Sequence, residues 1–221
     1  MSSRRSELES NLRAVEDEVR SYKPTLIVVT KTYPISDVLI LSELGVRDFG
    51  ENRSSEGVEK SVAMAASGVN LNWHYQGEIQ SKKLREITSW ARLIHSLDSA
   101  EHGIKLNRTL EDRNIETFIQ LSLDGDSSRG GVVEGELFAL AEAVAQLPQV
   151  NLMGIMCVPP VSMAPEAAFK KVGAIHQRFR AEFPDSPFLS AGMSGDYLQA
   201  LDHGATHIRI GSKILGSRQY H

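Results

Sequence analysis

The sequence predicts one (β/α)8 TIM barrel over residues 1–221, with an extra helix ahead of the first strand. Three observations carry this. Apolar runs alternate with helical patterns along the whole chain. The runs number eight, the count at which such a barrel closes. Most are continuous rather than alternating, as expected of parallel strands covered on both faces. An open doubly wound sheet shares the alternation, and 221 residues could also make two small domains. Eight units in about 200 residues favour closure, and no linker, low-complexity tract or composition break divides the chain.

The first helix is read from Leu8, Leu12, Val15 and Val19, spaced four, three and four on a polar background, and Pro24 closes it. Strands are predicted at 25–31, 46–51, 72–77, 93–98, 116–123, 151–158, 188–192 and 207–211. Helices are predicted near 35–44, 53–67, 80–90, 99–112, 133–147, 162–183 and 194–203, with a short one after 212. GDSSRGG (125–131) is the most loop-like stretch and fits one strand-to-helix connection.

A chain of this size buries a core without disulfides or metal. Its single cysteine, Cys157, excludes an intramolecular disulfide and suits a reducing compartment. The net charge of −4 is interspersed, so no basic field marks a nucleic-acid partner. No apolar run approaches the roughly 20 residues of a membrane span, and MSSRRSELES has no apolar stretch behind its arginines. A cytoplasmic protein with no membrane or nucleic-acid partner, and a monomer, is expected.

Barrel chemistry gathers at the C-terminal strand ends, and Lys31 closes the first apolar run, TLIVVTK. An ammonium there either snorkels to solvent or loses its proton and becomes a nucleophile able to capture an aldehyde. The last two strand ends carry Ser190, Met193, Ser194, Gly211 and Ser212, placed where barrels keep phosphate sites. Small residues and hydroxyls suit a phosphate, although Ser194 could merely cap the following helix and Gly211-Ser212 could be a tight turn. An amine and a phosphate cradle together fit pyridoxal 5′-phosphate (PLP). Arg209 would then face the pyridine nitrogen and keep it unprotonated, a poor setting for carbanion chemistry, or would pair with Asp98 or Glu51. A Schiff-base barrel of aldolase type without PLP is a further reading of the amine. His203 and His207 have metal-like spacing, but Gly204 separates them, so no metal is expected. Met153, Met156 and Met163 read as core fillers, and Lys82-Lys83 as a solvated helix face.

VVTKTYP (28–34), DFGENR (48–53), NWHYQGEIQSKK (72–83), IHSLDS (94–99), LMGIMCVPP (152–160), LSAGMSGDY (189–197) and HIRIGSKILGSR (207–218) occur in this order. Together they resemble the pyridoxal phosphate homeostasis protein family, also called the YggS/PROSC family, over nearly the whole chain. The resemblance implies a barrel of the alanine racemase N-terminal-domain type holding PLP as an internal aldimine. By motif position it makes Lys31 the Schiff-base lysine, and Ser194, Gly211 and Ser212 phosphate contacts. Arg209 becomes the residue facing the pyridine nitrogen, Asn52 a ring-side residue, and Ser190 and Met193 neighbours of the phosphate loop. Gln76, Glu78, Lys82 and Ala191 depart from the common pattern; the change around 76–82 alters charge at the barrel mouth.

Racemases of this fold carry a second acid–base residue on an additional domain, and the chain's end just past the eighth unit leads us to expect none. Tyr33, Tyr75, His74 or His95 would have to supply the second group a racemase needs. The resemblance therefore implies a PLP-binding protein acting in vitamin B6 homeostasis and indirectly on amino and keto acids, without efficient turnover. PLP-requiring apoenzymes would be transient acceptors. The alternative is a slow PLP-dependent amino-acid racemase.

Overall fold

Runs such as Ile27–Val29 are buried on both faces because parallel strands lie between a helical layer and the barrel interior. The computed structural model describes residues 3–111 and 113–216; the last two residues of the final motif, 217 and 218, lie outside the described residues. The strands are β1 (Thr25–Val29), β2 (Asp48–Glu51), β3 (Asn72–Tyr75), β4 (Leu93–Leu97), β5 (Ile115–Ser122), β6 (Val132–Val133), β7 (Val150–Cys157), β8 (Phe188–Met193) and β9 (His207–Ile210). The helices are α1 (Ser3–Val19), α2 (Ile35–Glu43), α3 (Ser54–Ala66), α4 (Leu84–Trp90), α5 (Ala100–Thr109), α6 (Glu134–Ala145), α7 (Pro165–Glu182), α8 (Tyr197–Asp202) and α9 (Ser212–Leu215).

All pairings are parallel, in the order β4-β3-β2-β1-β9-β8-β7-β5, and β4 also pairs with β5, which closes the barrel at eight strands. The sequence reading missed β6, two residues that add to β5 through Leu121–Val132 and Ser122–Val133. It falls where Gly130 and Gly131, both at positive φ, turn the loop back along the sheet. The predicted helix 194–203 begins at Tyr197 instead, because Met193–Asp196 form a turn held by Asp196 N–H to Met193 O, 3.1 Å. The helix expected over 99–112 stops at Thr109, with Glu111 in the left-handed region. No glycine or proline marks that stop.

Side chains alternate along each strand. Phe49, Trp73 and Tyr75 face outward into an aromatic cluster with Trp90 of α4. A Cβ on Gly50 would meet Gln76 and Ile27 inside the barrel. Register slips on β4 between Ile94 and Leu97, and between β8 and β9, each insert one extra residue. Such bulges re-aim side chains near strand ends, and both lie under the mouth. Leu8, Leu12, Val15 and Val19 of α1 are buried as the spacing predicts. Asn11 Nδ2 and Arg4 Nη2 donate to the carbonyls of Ile214 and Leu215, both at 3.0 Å, so α1 satisfies the C-terminal end of α9.

Candidate functional site

The residues singled out by sequence come together because β8, β9, β1 and β2 are consecutive in the barrel. Val28 pairs with both Ile210 and Phe49, and Met193 pairs with Arg209. Lys31, Asn52, Met193-Ser194 and Gly211-Ser212 therefore leave neighbouring strand ends at one mouth. Lys31 is half-buried, two residues beyond the last β1 residue, with the interior parity of Ile27 and Val29. Asn52 is exposed, and its carbonyl packs so close to Gly77 that a Cβ there would sit 2.2 Å from it.

The turn carrying Lys31 is held from its outer side. Thr30 Oγ1 donates to Glu51 Oε1 at 2.6 Å, and Lys60 Nζ donates to Thr30 O at 2.7 Å and to Glu51 Oε1 at 2.6 Å. Thr32 N–H donates to Glu56 Oε2 at 2.8 Å. Thr32 itself sits at φ +67°, a costly conformation for a β-branched residue. Glu51 is fully buried with its second oxygen unpartnered; burial pushes its pKa up against the pull of Lys60 and Thr30. Sequence reasoning missed Lys60. The available signal was its place on the buried stripe of α3 with Ser54, Gly57 and Met64.

On the neighbouring β8–β9 side of the mouth, Ser194 does not cap α8. Its Oγ accepts from the backbone N–H of Gly211 at 3.2 Å and of Lys213 at 3.4 Å, which leaves the hydroxyl hydrogen to donate. Met193 N–H is taken by Asp196 Oδ1 at 2.6 Å. A Cβ on Gly211 would press on Val29 O at 3.3 Å, whereas one on Gly195 would meet nothing within 4 Å. Small residues thus let the two loops close together while keeping space beside them. Lys213, anchored on Glu18 of α1 at 2.8 Å, fixes the start of α9.

Arg209 is buried, with Nη1 donating to Ser190 Oγ at 2.6 Å and Nη2 to Cys157 O at 3.2 Å. Burial lowers its pKa to about 10. The carboxylates considered as its partners are engaged elsewhere: Glu51 with Lys60 and Asp98 with His102. Ser190 lies inside the barrel under Arg209 rather than out on the loop. Beside these residues a cavity of about 330 Å3 opens among the β3, β4, β5 and β7 ends, lined by Gln76, Ser96, Gln120, Met156 and Val158. Gln76 Nε2 is buried without a partner.

The groups considered as a second acid or base are occupied. Tyr33 OH donates to Gly216 O at 2.7 Å. Tyr75 OH donates to Glu78 O at 2.8 Å, and burial pushes its pKa up to about 12. His74 and His95 are inside the barrel, bonded to each other at 2.9 Å. His203 and His207 diverge, to Glu166 and Thr206 respectively. Cys157 is buried, which raises its thiol to about 12. Lys83 pairs with Glu86 at 3.0 Å and Lys82 is exposed. Among the described residues no helix is long and apolar enough to cross a membrane.

A closed parallel barrel with an amine, a buried guanidinium and two small-residue loops at one mouth is of the alanine racemase N-terminal-domain type, and the model of that domain family matches residues 4–219. The chain belongs to the pyridoxal phosphate homeostasis protein family. The protein of that name from Corynebacterium glutamicum is 39% identical over 202 residues, covering 87% of this chain and 90% of its own. That from Mycobacterium tuberculosis is 35% identical over 213 residues, covering 88% and 83%. PipY of Synechococcus elongatus, solved with PLP bound, is 28% identical with a TM-score of 0.86, over 95% of this chain and 100% of PipY. The alanine racemase of Corynebacterium glutamicum shares the fold, with a TM-score of 0.72 at 18% identity, over 97% of this chain and 62% of that one.

Proposed function

We propose that this chain binds PLP at the β8–β9–β1–β2 mouth, with Lys31 Nζ as the point of covalent attachment, and holds or releases it in vitamin B6 homeostasis. The observation that carries the reading is the shared mouth: a lysine, a buried arginine without a carboxylate ion pair, and the Ser194–Gly211 loop pair on three neighbouring strands, β1, β9 and β8. The donor set fits the group. Hydroxyls of Ser194 and Ser212 and the small loop residues suit a phosphate, and Arg209 suits a ring nitrogen that accepts rather than donates. Asn52 would lie at the ring side, with Met193 beside the phosphate loop. PLP supplies an aldehyde for an amine to capture and a ring that withdraws electrons.

Lys31 needs an unprotonated amine to act, and its half-buried turn, braced by Thr30 and Thr32, orients it. Arg209 keeps its proton and so favours a weak electron sink. The engagement of Tyr33, Tyr75, His74 and His95 argues against a poised second acid–base group. This supports a carrier without efficient turnover, for which we propose PLP-requiring apoenzymes of the cytoplasm as transient acceptors. We expect Ser194→Ala and Ser212→Ala each to raise the PLP dissociation constant severalfold and the double variant about a hundredfold. Equilibrium dialysis checks this; unchanged retention in the double variant would remove the phosphate assignment. Exchange of amino-acid α-hydrogens in heavy water at enzyme-like rates would overturn the carrier reading.

A further inference from the structure

The buried polar side chains under Arg209 form one continuous line through the barrel. Arg209 Nη1 donates to Ser190 Oγ at 2.6 Å, and that hydroxyl is 2.9 Å from His95 Nδ1. His95 Nε2 lies 2.9 Å from His74 Nδ1, and His74 Nε2 lies 3.1 Å from Asp48 Oδ1. Arg209 also reaches the carbonyl of Cys157, the last residue of β7, while Asp48 is the first residue of β2. The line therefore runs from the mouth to the opposite end of the barrel, where Asn72 Nδ2 donates to Asp48 at 3.1 Å and Arg92 in turn bonds Asn72.

The chemistry of its two ends gives the line a direction. A guanidinium only donates and a carboxylate only accepts, while a neutral imidazole does one of each. His95 is fully buried, and burial, with the Arg209 guanidinium close by, keeps it neutral. With His74 donating from Nε2 to Asp48, His74 Nδ1 accepts from His95 Nε2–H. His95 Nδ1 then accepts the Ser190 hydroxyl, whose remaining lone pair receives Arg209. Each imidazole nitrogen in the line is engaged once and the Ser190 hydroxyl both accepts and donates, so the network is satisfied from end to end, which is the condition for it to rigidify its members.

We propose that Ser190, His95, His74 and Asp48 are positioning residues for Arg209, forming a one-directional hydrogen-bond chain that holds the guanidinium toward the cofactor ring and balances its charge with a carboxylate across the barrel. The role toward the ring rests on the PLP reading above; the chain itself does not. It explains how a buried cation with no ion pair is tolerated, since an uncompensated buried charge is costly.

The decisive measurement is long-range 1H–15N correlation on histidine-labelled, full-length, cofactor-free protein at pH 8. The chain predicts that His74 and His95 both carry their proton on Nε2 with Nδ1 bare. In Ser190→Ala the His95 signals move most, and Ser190→Thr, which keeps the hydroxyl, restores them. Titration with PLP then tests the link to Arg209. Ser190→Ala raises the dissociation constant about tenfold or more, and Asp48→Asn lowers the pH midpoint of the bound chromophore by roughly half a unit, because an anion that favoured its protonated form is gone. A proton on Nδ1 of His95, or a chromophore midpoint untouched by Asp48→Asn, overturns the proposal. Failure of the wild-type protein to bind PLP overturns the cofactor reading instead, and the tautomers still decide the chain.

Discussion

Acidification from pH 6.5 to 4 is expected to remove several kcal/mol of folding stability, most of it through histidines buried in neutral form. His207 lies edge-on to Phe118 and Phe188, with ring centroids 5.2 and 5.4 Å away. Burial lowers its pKa from 6.5 to about 4. Between those values the unfolded chain binds a proton that the folded chain refuses, so stability is fully present above 6.5 and declines as pH falls toward 4. A difference of that size corresponds to about 3 kcal/mol for this one ring. His95 and His176 are also lowered by burial and add in the same direction. Asp48 acts in a different window. Burial works to raise it, but the His74 and Asn72 hydrogen bonds outweigh that, so its contribution persists until pH falls below 3.8. Urea unfolding at pH 7.5, 5.5 and 4.5 measures the slope, and His207→Gln is expected to flatten it. A wild-type slope unchanged by that substitution would contradict the assignment.

Replacing Lys60 by methionine is expected to cost about 3–5 kcal/mol, because Glu51 would be left as a buried charge without its counter-ion. The pair is 2.6 Å apart with side chains 7% and 0% exposed, so solvent screens it little. The double variant Lys60→Met/Glu51→Gln recovers most of the loss, since a neutral amide can still accept from Thr30 Oγ1 and no charge remains buried. Urea unfolding of the three variants reads the coupling. A loss below about 1 kcal/mol in Lys60→Met, the value of a surface pair, would show that the pair is not the brace described here. Because Lys60 also holds Thr30 O, the single variant should loosen the turn that presents Lys31.

The barrel was legible because its strands are short apolar runs separated by helical periodicity, a pattern that parallel sheets impose directly on sequence. Lys31, Ser194, Arg209 and Gly211 could be collected from strand ends, since barrel topology converts adjacency of strands into adjacency of ends. What escaped depends on register and on pairing across the barrel. The extra residue between Ser190 and Met193 on β8 was marked only by Gly192, which sits at φ +94° inside the strand as bulge glycines do, and the register it sets against Arg209 is not written locally. Lys60 drew no reading from the sequence, because its partner Glu51 is at the end of β2 and the pairing depends on how α3 packs on that strand. His74 and His95 read as separate candidates at strand ends, and their shared hydrogen bond follows from the β3–β4 register, which sets His74 opposite Leu93 and so makes His95 its diagonal neighbour on the interior face. The alternative helix-capping role of Ser194 failed because its partner amides belong to β9 and α9 rather than to the helix that follows it in sequence.

The central claim is that Lys31 carries the cofactor. Borohydride reduction of PLP-saturated protein, followed by peptide mapping by mass spectrometry, tests it most directly. The account predicts a single stoichiometric pyridoxyl phosphate adduct on the peptide containing Lys31, and none in Lys31→Ala. An unmodified Lys31, or an adduct of equal yield on Lys82, Lys83 or another surface lysine, would contradict it.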